Sequence, residues 1–252
     1  MKKLNILISN DDGIAGAGLN PLVNEMSKLG KVYVIVPEHE MSGTSQAITL
    51  NEYKRIKKYK SNIYTLVGGT PTDCVKYGLY SFLKDKIDLV VSGINTCPNL
   101  GQDVVYSGTV ACAREGAYLG VPSMAVSAAD CKKPDYENAA KIALEIAKKI
   151  VNKAPKERPA LCLNINIPKD PKGIKIVPLG IRCYDENIVR KKTSEGVFYK
   201  LAGRFISGEK NKKSDIDVVE RSYVSVTPLQ LDQTHFDYMT KYKFMEEKFE
   251  SE

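Results

Sequence analysis

Residues 4–36 read "LNILISNDDGIAGAGLNPLVNEMSKLGKVYVIV". Its two ends, "LNILIS" at 4–9 and "KVYVIV" at 31–36, are short apolar runs of strand character, and "GLNPLVNEMSKL" at 18–29 spaces its apolar residues like one face of a helix. Two buried strands with a helix between them make a right-handed βαβ unit, the repeating piece of a parallel sheet. The first strand runs into "SNDDG" at 9–13, two adjacent carboxylates framed by an amide and a glycine. Neighbouring strand residues point to opposite faces, so Asp11 and Asp12 cannot both continue a solvent-facing pattern. Asn, Asp and Gly are turn formers, and a plain turn or helix cap is the competing reading.

The same alternation continues outward. "NIYTLV" (62–67), "IDLVVSG" (87–93), "PSMAVS" (122–127) and "PALCLNINIP" (159–168) read as strands. "GGTPTDCVKYGLYSFL" (68–83) opens a helix, with Thr70 at the N-cap, Pro71 at the first helical position and Asp73 three residues after the cap. "SGTVACAREGAYLG" (107–120) is a helix of small residues, and "YENAAKIALEIAKKIV" (136–151) is amphipathic. From about 170 to 230 crossover helices are missing. "GIKIVPLG", "GVFYKLAG" and "DVVERSYVSVTPL" read as strands in antiparallel hairpins, which commonly serve oligomer contacts. In "YMTKYKFMEEKFE" (238–250), Tyr242, Met245 and Phe249 fall at helical spacing and predict a packing face. The reading is one α/β domain over 1–252. Residues 1–168 form a Rossmann-like, mostly parallel core that carries the site, and 169–252 form a β-rich extension with a C-terminal helix for oligomer contacts.

Bulk composition fits an ordinary folded chain, with 252 residues, 43% hydrophobic and 27% charged. No apolar run approaches the ~18 residues of a membrane span, and the N-terminal apolar stretch is shorter than the ~7–15 residues of a signal core. A cytoplasmic protein without membrane contact is expected. The six cysteines form no C-x-x-C pair, which predicts reduced, structural thiols rather than a zinc site or a disulfide framework. The two histidines, His39 and His235, exclude a His-rich metal cluster and read as structural. The net charge of +7 is spread over 54–60, 148–158, 190–192 and 210–213 and does not form one stripe interleaved with aromatics. That predicts a solvated surface with a mild attraction for anions, not a stable nucleic-acid groove.

Ligands of open parallel sheets bind beyond the carboxyl ends of the strands. There the first strand presents Asn10, Asp11, Asp12 and Gly13; the second presents Ser42, Gly43, Thr44 and Ser45; and the strand at 87–91 presents Ser92, Asn95, Asn99, Asp103, Ser107 and Thr109. Oxygen ligands without histidine or thiolate suit a hard divalent cation, Mg²⁺ or Mn²⁺, with Asp11 and Asp12 supplying charge and Ser42 and Asn95 neutral oxygens. The start of the 107–120 helix, with its free N–H groups, is a cradle for a phosphate. Metal and cradle together point to phosphate-ester hydrolysis, in which the metal activates water and neutralises phosphoryl charge. Neither G-x-G-x-x-G nor G-x-x-x-x-G-K-[ST] is present. The adjacency of Asp11 and Asp12 also departs from the Asp-x-Asp spacing of phosphatases that use a covalent aspartate.

The stretches "ILISNDDGI", "VPEHEMSGTSQAITL", "GGTPTDCVKYGL", "VSGIN", "PNLGQDVVYSGTVACAREGAYLGVPSMAVS" and "YVSVTPLQLD" run from about residue 6 to 232 and closely resemble the SurE family. The resemblance implies an α/β core with a β-hairpin extension used in homodimers or homotetramers. It implies a 5′-nucleotidase that hydrolyses nucleoside 5′- and 3′-monophosphates, with short-chain polyphosphate as a further substrate and one divalent metal ion per subunit. By motif, Asp11 and Asp12 match the metal-binding and catalytic aspartates, with Ser42 and Asn95 as further metal ligands. Ser107, Gly108 and Thr109 match the phosphate-contacting turn, and Asn10, Gly43 and Asn95 line the phosphate site. The alternative is a nucleotide-binding regulatory module without turnover. Cys97 stands where the family more often has glycine, His39 replaces a commoner basic residue, and Gln46 and Ala47 alter the usual polar pair. Cys97 reads as a passive thiol.

Overall fold

The computed structural model describes residues 3–152, 161–185, 187–208 and 213–246. The opening unit is β1 (Leu4–Ser9), α1 (Leu19–Met26) and β2 (Gly30–Pro37), with β1 and β2 parallel and Ile6 opposite Val32. After β2 come an edge hairpin, β3 (Arg55–Lys60) and β4 (Ile63–Val67), and then α2 (Pro71–Tyr77). Next follow β5 (Leu89–Asn95), α3 (Gly108–Tyr118), β6 (Ser123–Ala128), α4 (Tyr136–Val151) and β7 (Cys162–Ile167). The basic stretch at 54–60, read from composition only as solvated surface, is the strand β3. It caps the sheet edge, and its lysines guard that edge against pairing with other chains.

The last part of the chain contains β8 (Ile174–Ile176), β9 (Arg182–Asp185), β10 (Ile188–Thr193), β11 (Gly196–Leu201), β12 (Arg204–Gly208), α5 (Asp215–Glu220), β13 (Val224–Pro228) and α6 (Phe236–Lys241). β8 and β13 join the main sheet, which has nine strands in the order β3-β4-β2-β1-β5-β6-β7-β13-β8. β10–β11 and β9–β12 are antiparallel ribbons outside it. The stretch 217–229, read as one strand, divides into α5 and β13. Ser214 caps α5, its hydroxyl accepting from the Asp217 N–H, and that cap outweighs the β-branched valines. Of the expected C-terminal packing face, Tyr242 and Met245 follow α6 and are exposed, and Phe249 lies outside the described residues.

Alternation along the strands sorts the core into two layers. Ile6, Ile8, Val34, Val36, Leu89 and Val91 pack against α1 and α4, while Leu7, Ile35 and Val90 face α2 and α3. β1 lies between β2 and β5 and is parallel to both. The chain therefore leaves β1 in one direction for β2 and resumes at β5 on the other side. The carboxyl ends of β1 and β5 form the topological switch point where such sheets bind ligands.

Candidate active site

At the end of β1, Asn10 is buried and both ends of its amide are used. Its Nδ2 donates to the Gly13 carbonyl (3.1 Å), and its Oδ1 accepts from the Gly13 N–H (3.0 Å). This Asx-type turn answers the problem of two adjacent aspartates: the backbone leaves strand geometry directly after Ser9. Gly13 has φ +76°, and a Cβ there would stand 3.1 Å from the backbone of Pro37 and His39. Asp11 keeps the side of the sheet that faces α3. Its Oδ1 accepts from the Thr109 hydroxyl, and the Gly108 and Thr109 N–H groups also hold its charged form. Burial outweighs these donors and pushes its carboxyl above the ordinary value. The approach requires a glycine, because a Cβ on Gly108 would lie 2.7 Å from the Cβ of Asp11. Asp12 is half-buried, and burial, then Asp11 and then Glu40 push its carboxyl up to about 6.

The helix N-terminus expected to cradle a phosphate thus already holds the Asp11 carboxylate. Ser107 is its N-cap, with Oγ accepting from Val110 N–H at 3.0 Å, and Thr109 is fully buried with its hydroxyl given to Asp11. Ser42 and Gly43 are exposed on the loop after β2, and Gly43 has φ +75° with open space where a Cβ would stand. That loop is tied to the other two. Met41 N–H donates to the Asp11 carbonyl (2.7 Å), and Ser45 donates from its N–H to the Tyr106 carbonyl (3.0 Å) and from its hydroxyl to the Val105 carbonyl (2.6 Å). Asn95, at the end of β5, donates from Nδ2 to the Cys97 carbonyl (2.8 Å), which leaves its Oδ1 as the free end of the amide.

Two strand-end groups do other work. Asp103 binds Arg182 and Tyr184 and fastens β9 to the core. Asn99 is buried against Asn164, Asn166 and Ser127. Three residues were missed in the sequence. Glu40 is a third carboxylate near Asp12, signalled only by the acidic "EHE" at 38–40. Glu115 is buried, takes Lys76 (2.6 Å) and Gln46 (3.0 Å), and so anchors the Ser42 loop from below; one helical residue in a small-residue run gives no local signal of this. Asp215 is buried, accepts from the N–H groups of Gly101 and Gly180, and is pushed above its ordinary value by burial.

The expectation of six reduced thiols is corrected. Cys97 and Cys131 are joined as a disulfide, while Cys74, Cys112 and Cys162 are buried free thiols and Cys183 is an exposed one. β5 and β6 are sheet neighbours, so the loops at their carboxyl ends lie side by side and bring the two Cα atoms to 4.6 Å. No C-x-x-C spacing announces such a pair.

The donor set fits a hard divalent cation. Two adjacent carboxylates are held in a crowded, partly buried site where ionisation is disfavoured without a counter-charge, and neutral oxygens of Asn95 and Ser42 stand on the flanking loops. Among the described residues no group of three or more His, Cys, Asp or Glu side chains is arranged to hold a metal ion by itself.

Comparison with known proteins agrees with this geometry. The family model described as Survival protein SurE matches residues 6–186. The 5′-nucleotidase SurE of Legionella pneumophila (strain Lens) is 41% identical over 239 residues, 92% of this chain and 93% of that protein. The 5′-nucleotidase SurE of Thermosipho melanesiensis is 42% identical, covering 98% of each chain. The crystal structure of the SurE protein from Aquifex aeolicus superposes with a TM-score of 0.84 at 38% identity, over 96% of this chain and 100% of that one. A loop set built on adjacent aspartates at the switch point, together with a match of this extent, means that the chain belongs to the SurE family.

Proposed function

We propose that the protein is a metal-dependent nucleoside-monophosphate phosphohydrolase, a 5′-nucleotidase, that releases nucleoside and inorganic phosphate. The observation that carries this reading is the Asp11–Asp12 pair, set at the switch point against the N-terminus of α3 with the Ser42 and Asn95 loops bonded around it. Its relatives of similar length bear the name 5′-nucleotidase. A cation bound there, Mg²⁺ or Mn²⁺ by donor type, supplies Lewis acidity and charge neutralisation.

The chain's own residues do the rest. Asp11 and Asp12 hold the cation, with the Asn95 and Ser42 oxygens completing the protein's share. Asn10 keeps the turn in shape. Ser107, Gly108 and Thr109 form the positive end of α3 that holds the Asp11 carboxylate beside the phosphate site, and Gly43, free of neighbours, lets an anion approach the backbone of its loop. Asp12, the less buried carboxylate of the pair, also serves as general base toward the attacking water. Short-chain polyphosphate, whose terminal phosphate presents the same chemistry, is a further substrate on this reading.

The β10–β11 ribbon supports a homo-oligomer. Ile188, Phe198, Tyr199 and Leu201 are 64%, 50%, 67% and 76% exposed, and a lone two-stranded hairpin is marginal in water. A second copy covering it gives a homodimer or homotetramer. The cytoplasm is the compartment proposed, with four of the six cysteines free and the exposed Cys97–Cys131 bond the exception. No described helix is long and apolar enough to cross a membrane.

The test is phosphate release from 5′- and 3′-nucleoside monophosphates with Mn²⁺, Mg²⁺ or EDTA, for wild type and Asp12→Asn. Cation-dependent release is expected, lost by ~10²–10⁴-fold in the variant even at Mn²⁺ concentrations raised to offset its lost ligand charge. Folded protein that binds nucleotide and releases no phosphate with any cation overturns the enzyme reading in favour of a binding module.

A further inference from the structure

The disulfide lies next to the proposed cation site, and both of its cysteines are exposed. Cys97 is the residue whose carbonyl accepts from the Asn95 amide. On either side of it the chain is anchored, by Thr96 Oγ1 to the Tyr136 hydroxyl (2.9 Å) and by Asn99 N–H to Asn166 Oδ1 (2.7 Å). Cys131 sits in a turn whose following N–H groups, of Lys132 and Lys133, donate to Asp130 Oδ1 at 3.1 and 3.2 Å. The sulfurs therefore join two separately built loops, from strands 34 residues apart in sequence at the bridge. The peptide of Cys97 has the disulfide as its tether between its two neighbours' anchors. Holding that peptide holds the carbonyl, and the carbonyl takes the Nδ2 end of the Asn95 amide, which leaves Oδ1 as its free end.

We propose that Cys97 and Cys131 are a reversible oxidation site, and that the bond between them positions Asn95 and thereby raises the protein's affinity for its divalent cation. The proposal rests on the reading of Asn95 as a cation donor. An exposed disulfide is open to attack by small thiols, unlike a buried structural one. Its chemistry balances with a low-molecular-weight disulfide as oxidant. One protein thiol gives up its proton and displaces one small thiol, forming a mixed disulfide. The second protein thiol gives up its proton and displaces the other. One S–S bond forms in the protein and one breaks in the oxidant. Two electrons pass from the cysteines to the oxidant, which leaves as two thiols carrying the two protons. A dithiol reverses the sequence. Asn95 then keeps its place on β5 but loses the fixed carbonyl that orients its amide. Groups that orient a ligand from behind are worth ~10–100-fold in metal affinity, so reduction is expected to weaken Mn²⁺ binding about tenfold.

The experiment uses the full chain, oxidised with glutathione disulfide or reduced with a phosphine and desalted without air. The bond is read by intact mass as the loss of two hydrogens, and Mn²⁺ affinity by calorimetry. Wild type should bind about tenfold more weakly when reduced. Cys131→Ser should bind weakly in both conditions, and Cys183→Ser should behave as wild type. Thermal unfolding checks that each variant is folded, and the wild-type comparison decides the matter without any variant. Equal affinity in the two wild-type states, or failure of the bond to form under oxidant, overturns the proposal and leaves the cation site standing. Absence of Mn²⁺ binding in every form overturns the proposal together with the reading of the site.

Discussion

Asp12 sits where burial, Asp11 and Glu40 all oppose its charge, in that order, and its carboxyl is raised from 3.8 to about 6. A carboxyl raised by folding binds its proton more tightly in the native state than in the unfolded chain. Protonation of Asp12 thus favours the cation-free fold fully below about pH 4, and this contribution is lost as pH rises through about 6. Asp12→Asn keeps the shape and removes the charge. The variant should match wild type in thermal stability near pH 4. At pH 7.5 without cation it should unfold higher, on the order of 2–4 °C for this partly exposed group. Added Mn²⁺ should raise the wild-type transition at pH 7.5 and have little effect at pH 5, where protons compete for the same oxygens. Scanning calorimetry at the two pH values, with and without cation, checks both halves. A wild type whose transition is indifferent to Mn²⁺ at pH 7.5 contradicts the assignment of Asp11 and Asp12 as cation ligands.

Among the elements, α2 shows how one local device serves two purposes. Its capping box joins Thr70 and Asp73 reciprocally, at 3.1 Å from Asp73 N–H to Thr70 Oγ1 and 3.0 Å from Thr70 N–H to Asp73 Oδ2. The same two side chains hold the loop after β2, with Thr70 Oγ1 donating to the Ala47 carbonyl (2.7 Å) and Thr49 donating to both Asp73 oxygens. Thr70→Ala should cost about 1 kcal/mol in denaturant unfolding from the lost cap. Because the freed loop carries Ser42, KM should rise severalfold with kcat changed less; an unchanged KM would confine Thr70 to helix stability.

The cap was legible in the sequence as Thr-Pro-Thr-Asp, because capping is a contact between residues three apart. β1, β2 and β5 were legible for a similar reason, as apolar runs buried on both faces. What escaped the sequence is whatever arises across the sheet. The Cys97–Cys131 bond needs β5 beside β6, and the Glu115 anchor needs α3 beside the Ser42 loop. The occupation of the α3 N-terminus by Asp11, rather than by an empty cradle, needs the same adjacency. α5 was hidden because Asp-Val-Val favours a strand until Ser214 caps it.

For the whole molecule, the proposed oligomer contact is the β10–β11 ribbon, whose apolar side chains are exposed in the single chain. Replacing both Phe198 and Leu201 by Glu should shift the protein to monomers in light scattering coupled to gel filtration, while leaving Mn²⁺ binding intact, since both residues lie on the β10–β11 ribbon outside the main sheet that carries the carboxylate turn. Persistence of the wild-type mass would move the contact to another face.

The central place of β1 also governs synthesis. Leu4–Ser9 leaves the ribosome well before β5, yet one of its two edges is matched only when β5 arrives; the N–H of Asn5 reaches Asp88 across 83 residues of chain. At translation speeds of about 5–20 residues per second, that edge waits on the order of ten seconds. During that interval the nascent protein carries a bare apolar strand and two carboxylates that have neither α3 nor a cation to hold them.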